Sequence, residues 1–171
     1  MDILAHMLWA NYGARQANKT LSKKGKRLIS LPEITWWGVF PDLFAFGIPM
    51  LLAIPTFLRD GLVFGRPSAF GLSATLYQYS HSLILWALVF VIVWIVSKRP
   101  RLELLGWALH ILIDIPSHSG TFYPTPFLFP ISEYKFLDGI SWGTSWFMII
   151  NYSLLLIASL YFFSKKKQKV I

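Results

Sequence analysis

The chain contains no cysteine, so disulfides and thiolate metal sites are excluded, and any metal must be held by nitrogen and oxygen ligands. Charge is scarce as well. Asp, Glu, Lys and Arg make up 14% of the 171 residues, against roughly 25% in an ordinary soluble domain, and only eight are acidic. There is no phosphate-cradling Gly-rich loop, since Gly25 lies in a basic segment without the required flanks. The Glu-x-x-His pair of carboxylate-bridged di-iron centres is missing too. No basic region precedes the first apolar stretch, residues 3–10, and no small-residue cleavage site follows it. A cleavable signal peptide is therefore not expected.

What remains is largely apolar. Hydrophobic residues account for 55% of the chain, and eight Trp, seven Tyr and fourteen Phe supply aromatic bulk suited to bilayer interfaces. The formal net charge is +8, with the basic residues clustered. One cluster is Arg15, Lys19, Lys23, Lys24, Lys26 and Arg27; a second is Lys98, Arg99 and Arg101; the third is Lys165, Lys166, Lys167 and Lys169. Each abuts an apolar segment and none accompanies a nucleic-acid-binding module. They read as flanks that fix membrane topology, and no nucleic-acid partner is expected.

Residues 82–97 and 144–163 carry no charge and read as membrane helices. Residues 102–115 are apolar except for Glu103, His110 and Asp114, and follow the basic knot closely enough to return antiparallel to 82–97. Placing the knot and the Lys-rich tail in the cytoplasm makes 82–97 run inward, 102–115 outward and 144–163 inward again. Residues 116–143, rich in Pro and aromatics, then form an outer loop. The first third allows two arrangements. Residues 40–58 form one more span, or residues 2–14 form a short helix, 15–27 a basic inner loop and 28–40 a helix that stops at Pro41-Asp42. In the second arrangement, which we prefer, 43–58 is a broken, re-entrant or interfacial segment, tolerated where protein or a wet cavity surrounds it. It brings Asp42 and His6 to the face of the other polar residues. The expected fold is all-α: a single domain, 1–171, with about four to five membrane-embedded helices.

All four histidines, His6, His81, His110 and His118, lie in or beside apolar segments. Ionisable groups in such positions are costly and suggest a functional site. His110 and Asp114 are four residues apart, hence on one helical face, where they either grip an ion together or join two helices by a hydrogen bond. His81, between Ser80 and Ser82, is either a ligand or an interfacial histidine, with a serine to cap the helix or orient the ring. Asp42 is either a ligand or an N-cap. Asp2 either orients His6 or caps the first helix. Beyond Pro116, His118 is a candidate second-metal ligand or proton shuttle. Glu133 and Asp138 are candidate late carboxylates, although Asp138-Gly139 also reads as a turn.

The ordered set His6, Pro41-Asp42, His81-Ser82 and Gly106-x-x-x-His110-x-x-x-Asp114, followed by Ser119-Gly120 and Pro126-x-x-x-Pro130, resembles the bacterial family of membrane-bound metal-dependent hydrolases. The resemblance covers roughly residues 1–130. The order His, Asp, His, His-x-x-x-Asp is also similar to the zinc-dependent phospholipase C and nuclease group. That resemblance implies an all-helical fold whose metal centre activates water against phosphate esters, with His6, Asp42, His81, His110 and Asp114 as ligands. The chain lacks that group's further His and His-x-x-x-Glu, which a three-metal cluster would need. The expected function is a metal-dependent hydrolase of the bacterial inner membrane, with its site toward the extracytoplasmic face and Asp114 and His118 in catalytic roles. Zinc suits the ligand types, with manganese or iron as alternatives. Expected partners are the lipid bilayer and an amphiphilic or phosphoester substrate. The alternative is a membrane transport or binding protein that uses the His/Asp cluster as an ion or proton site.

Overall fold

Two helix starts are fixed by polar side-chain caps, from Asp2 and Ser82. The computed structural model describes residues 1–60 and 67–167, and these are all-helical, with no strand among them. Helix α1 spans Ile3–Lys23, and the Asp2 side chain caps it by accepting from the Ala5 N–H at 3.0 Å. The expected inner loop is thus helical as far as Lys23, because Ala14, Arg15, Gln16, Ala17, Lys19 and Leu21 are good helix formers. Asn18 closes the turn that follows: its Nδ2 donates to the Ile29 carbonyl at 2.9 Å, and the Ile29 N–H donates to its Oδ1 at 2.8 Å.

Helix α2 spans Leu31–Asp42 and does not stop at Pro41-Asp42 as expected. The backbone passes through a π-helical turn, Leu43–Gly47, into α3, Ile48–Asp60. The wider turn lies between Pro41 and Pro49, each of which lacks an N–H and crowds the turn before it. Pro49 and Pro55 are both taken into the continuous helical run. Asp42 is consequently a mid-helix residue, and its side chain makes no capping hydrogen bond.

Helices α4, Pro67–Ser80, and α5, Leu83–Ser97, are bent by 56° at His81-Ser82. Ser82 caps α5 by accepting from the Leu85 N–H at 3.1 Å. A 3-10 turn, Leu102–Leu104, leads into α6, Leu105–Ser117, and α7 covers Ser145–Lys167. Of the Lys-rich tail, Lys169 lies outside the described residues. The helical runs Leu31–Arg59 and Ser145–Lys165 are long and apolar enough to cross a bilayer, and the bent α4–α5 pair counts as a third if taken as one span. The chain is therefore described as a membrane protein. Large apolar side chains face outward on α3, α5 and α7, among them Leu58, Val96 and Phe163.

Helices α1, α2 and α6 pack closest. A Cβ at Gly106 would lie 2.3 Å from the Ile34 carbonyl oxygen and 3.0 Å from the Gly38 nitrogen, so α6 rests on the α2 backbone itself. Contacts advance in step along α2 and α6, from Gly106 at Ile34 to His110 at Gly38, so the two helices run parallel. Helix α1 runs antiparallel to α2, with Asn11 bonded to Thr35 and Asn18 to Ile29. At the start of α6, buried Glu103 accepts from Arg27 at 3.0 Å and from the Ser30 N–H at 3.3 Å. The loop 118–144 folds back over the end of α6. Ile140 and Trp142 N–H donate to the carbonyls of Pro116 and Ser117 at 2.8 and 2.9 Å, satisfying acceptors that a helix end leaves free. A Cβ at Gly139 would lie 2.0 Å from the His118 oxygen, so only glycine permits this approach.

Substituting Gly106→Ala is expected to force α6 away from α2. Overpacking of this kind costs about 1–3 kcal/mol. Thermal unfolding in detergent should show a lowered midpoint, whereas Gly71→Ala, where an added Cβ meets nothing within 4 Å, should leave it unchanged or raise it.

Candidate metal centre

The close α2–α6 approach sets the first ligand. Four residues beyond Gly106, the His110 Nδ1–H donates to the Gly38 carbonyl at 2.8 Å. A carbonyl only accepts, so the neutral ring carries its lone pair on Nε2. That atom points into a buried space where it lies 3.1 Å from Asp114 Oδ2, 3.6 Å from Asp42 Oδ1 and 3.1 Å from His81 Nε2. His81 Nε2 is in turn 3.5 Å from Asp114 Oδ2 and 3.6 Å from Asp42 Oδ1. The four ligand atoms, from Asp42, His81, His110 and Asp114, all lie within 4.8 Å of one another.

This set fits a metal ion. Donor atoms about 2.0–2.1 Å from a tetrahedral ion stand roughly 3.3–3.4 Å apart, and the five distances of 3.1–3.6 Å bracket that value. Asp114 Oδ2 is buried and makes no hydrogen bond in this arrangement, although two imidazole nitrogens stand near it. Two imidazole nitrogens and two carboxylate oxygens suit a divalent cation of borderline character. The group could therefore hold a metal ion.

Ser80 gives His81 two possible states. Its hydroxyl lies 2.9 Å from His81 Nδ1 and can either donate or accept. With no ion, Ser80 donates to Nδ1 and the His81 Nε2–H donates to His110. With an ion, Ser80 accepts from the Nδ1–H, and both Nε2 lone pairs face the cation. Trp107 Nε1 fixes the backbone here by donating to the Ser80 carbonyl at 2.6 Å. Tyr77, one turn before His81, stacks on its ring with centroids 3.7 Å apart.

Asp114 divides its two oxygens between two groups. Oδ2 faces His81 and His110. Oδ1 lies 3.0 Å from His6 Nε2 and 3.4 Å from His118 Nε2, and accepts from the Met1 amine. That amine is also 3.0 Å from His118 Nε2. His6 stacks on His110 with centroids 3.6 Å apart, and both its ring nitrogens are buried without hydrogen bonds. The His118 Nδ1–H donates to the Tyr123 carbonyl at 2.8 Å, which leaves the Nε2 lone pair directed at the cluster. His118 follows the last residue of α6 with extended backbone, so leaving the helix turns its ring back toward Asp114. His6, His81, His110, Asp114 and His118 are all buried, while Asp42 is partly open and marks the side from which the cluster can be reached.

All six of His6, Asp42, His81, His110, Asp114 and His118 therefore meet at one place. Glu133 and Asp138 do not: both are exposed in the loop and stand outside the ligand group. The sequence reading missed the Met1 amine, the Gly38 carbonyl and the tyrosine pair Tyr77 and Tyr123. Only Tyr77, four residues before His81, had a helical spacing that could have flagged it. Comparisons with known proteins return no matching family model, no characterised relative and no similar solved structure.

Removing the Ser80 hydroxyl tests how His81 is oriented. Ser80→Ala is expected to weaken divalent-metal binding by about 10–100-fold, as loss of a group orienting a ligand histidine does. Titration of the metal-free protein with Zn²⁺ against a competing chelator would show the change, while Ser119→Ala, in the loop after α6, should titrate like the wild type.

Proposed function

We propose that this protein is a membrane-bound metal-dependent hydrolase that cleaves a phosphoester or a lipid-linked ester at the extracytoplasmic membrane interface. The observation that carries the reading is the convergence of two imidazole Nε2 atoms and two carboxylates, beside a further histidine whose Nε2 faces the same carboxylate. In this arrangement α1 and α6 are membrane-embedded too, and the basic ends of α1, α5 and α7 lie in the cytoplasm of a bacterial inner membrane. Zinc suits the donor set best, with manganese or iron as alternatives. The Oδ1 side of Asp114, with His6, would take a second ion where two are bound.

A divalent ion in such a site lowers the pKa of water toward neutrality and polarises the ester under attack. The protein's own groups do the rest. His110 and Asp114 hold their orientation from one face of α6, with Gly38 fixing the His110 tautomer. Asp42, the open member, stands where substrate would enter. His118 Nε2 accepts the proton as the water oxygen bonds to phosphorus or acyl carbon, then returns it to the departing alkoxide oxygen as that bond breaks. The Tyr123 carbonyl holds the ring proton on Nδ1, so Nε2 is the accepting nitrogen once the neighbouring Met1 amine turns from it. Burial of the remaining members excludes bulk water, which strengthens each electrostatic interaction. The aromatics Phe46, Tyr77 and Tyr123, in mutual contact beside the cluster, offer an apolar approach for an amphiphile. A membrane transport or binding protein that uses the cluster as an ion or proton site is the second reading, favoured by four histidines gathered around Asp114. It would leave ester cleavage absent.

Asp114→Asn separates catalysis from helix joining. It preserves shape and much of the hydrogen bonding but removes the negative ligand. The proposal expects loss of bound metal and at least about a 100-fold fall in phosphoester or lipid-ester hydrolysis in a folded protein. If Asp114 only joined helices, the amide would substitute, since membrane hydrogen bonds are worth about 0.6–2 kcal/mol. Normal metal content and turnover in the variant would count against the proposal. His118→Gln is expected to keep the metal and lose turnover.

Orientation has its own test. In intact cells, a membrane-impermeant thiol reagent should modify Ser119→Cys and spare Ser164→Cys. The reverse pattern would put the site on the cytoplasmic side.

A further inference from the structure

Away from the metal centre, α1, α6 and α7 enclose an open groove of about 710 Å³. That is within the roughly 300–1,000 Å³ of small-molecule sites. Its walls are apolar, from Trp9, Leu109, Ile113 and Leu154 at one end to Tyr161 and Phe162 at the other. The first end is closed by the hydrogen bond from Trp9 Nε1 to Asn151 Oδ1, 2.9 Å. The other end is ringed by cations. Lys19 Nζ stands 4.5 and 4.9 Å from the ring centroids of Tyr161 and Phe162, Lys165 Nζ is 5.0 Å from that of Tyr161, and Arg15 is 6.0 Å from that of Phe162. Lys19 also donates to Tyr161 Oη at 3.0 Å and to Gln16 at 2.9 Å, and Arg15 donates to Asn11 at 2.7 Å.

Three like charges thus gather on two adjacent rings, and no carboxylate among the described residues pairs with any of them. Neutral partners and ring faces hold the cations in place without cancelling their charge. Such a cluster is complementary to an anion, and the apolar groove leading away from it is complementary to a hydrocarbon chain. We propose that this groove binds an anionic glycerophospholipid of the bilayer leaflet on the basic side. One acyl chain lies between α1 and α7, and the phosphate rests on Arg15, Lys19 and Lys165. A free anion would use the cations and leave the groove unfilled, while a zwitterionic lipid would carry its own cation into the cluster. The site is separate from the metal centre, and its occupant need not be a substrate.

The test uses the full chain, purified in a mild detergent. Phosphatidylglycerol, phosphatidylcholine with the same acyl chains, and inorganic phosphate are added in separate titrations. Bound lipid is counted by native mass spectrometry and the unfolding midpoint is followed alongside. At about a factor of five per cation, phosphatidylglycerol should be retained on the order of 100-fold more tightly than phosphatidylcholine and should raise the midpoint by several degrees. Inorganic phosphate should not reproduce that rise. In the triple variant Arg15→Gln, Lys19→Gln, Lys165→Gln, the preference for phosphatidylglycerol should disappear. Ala158→Leu, which fills the groove wall, should weaken retention with all three cations in place. Equal retention of the two lipids by the wild type, or an equal rise with phosphate, would overturn the proposal without any variant having to fold.

Discussion

Asp114 is a carboxylate buried inside a helical membrane protein, and that position is tenable only if positive or hydrogen-donating groups surround it. The chain supplies them from four directions: His110 from the same helix, His81 from the break between α4 and α5, and His6 and the Met1 amine from α1, with His118 closing over it as α6 ends. Each must arrive at a fixed height, which places demands on the packing. Helix α6 must lie on the α2 backbone so that His110 reaches Gly38, hence glycine at 106. Helix α2 must continue past Pro41 so that Asp42 projects into the cluster. The loop 118–144 must bond to the end of α6 so that His118 is held, hence glycine at 139.

Much of this was legible in the sequence, for particular reasons. The apolar runs 82–97 and 144–163 became α5 and α7 with nearly those limits; α7 is long enough to cross a bilayer alone, whereas α5 is so only if joined to α4 across the bend, and four to five spans are not reached among the described residues. The His110–Asp114 spacing placed both side chains on one face before any fold was known. The convergence of His6, Asp42, His81, His110 and Asp114 was expected from the preferred topology. The route to it differed: Pro41-Asp42 reads locally as a helix stop, but tertiary packing carries the helix through. The basic stretch from Arg15 reads as an inner loop because of its charge, although its residues favour helix and α1 keeps them to Lys23. The Gly38 carbonyl and the Tyr123 carbonyl were not legible, because backbone acceptors leave no trace in side-chain identity.

The two polar features of the molecule differ in kind. In the His/Asp cluster that could hold a metal, His110 and His118 are buried and held by backbone carbonyls, so that lone pairs are aimed rather than merely available. At the far end of α1 and α7, cations sit at the rim of an apolar groove, braced by aromatic rings and without anionic partners among the described residues. The first arrangement suits an ion held inside the protein, the second a charged group that arrives with the bilayer. Helix α1 contributes to both, its apolar half carrying His6 and its later half Arg15 and Lys19.

The central claim is that Asp42, His81, His110 and Asp114 share a metal ion. X-ray absorption spectroscopy at the zinc edge tests it most directly, on detergent-purified protein loaded with one equivalent of Zn²⁺. The account predicts a four-coordinate first shell of two imidazole nitrogens and two oxygens at about 2.0–2.2 Å, with the outer-shell scattering of two histidine rings. A six-coordinate all-oxygen shell without imidazole scattering would contradict it.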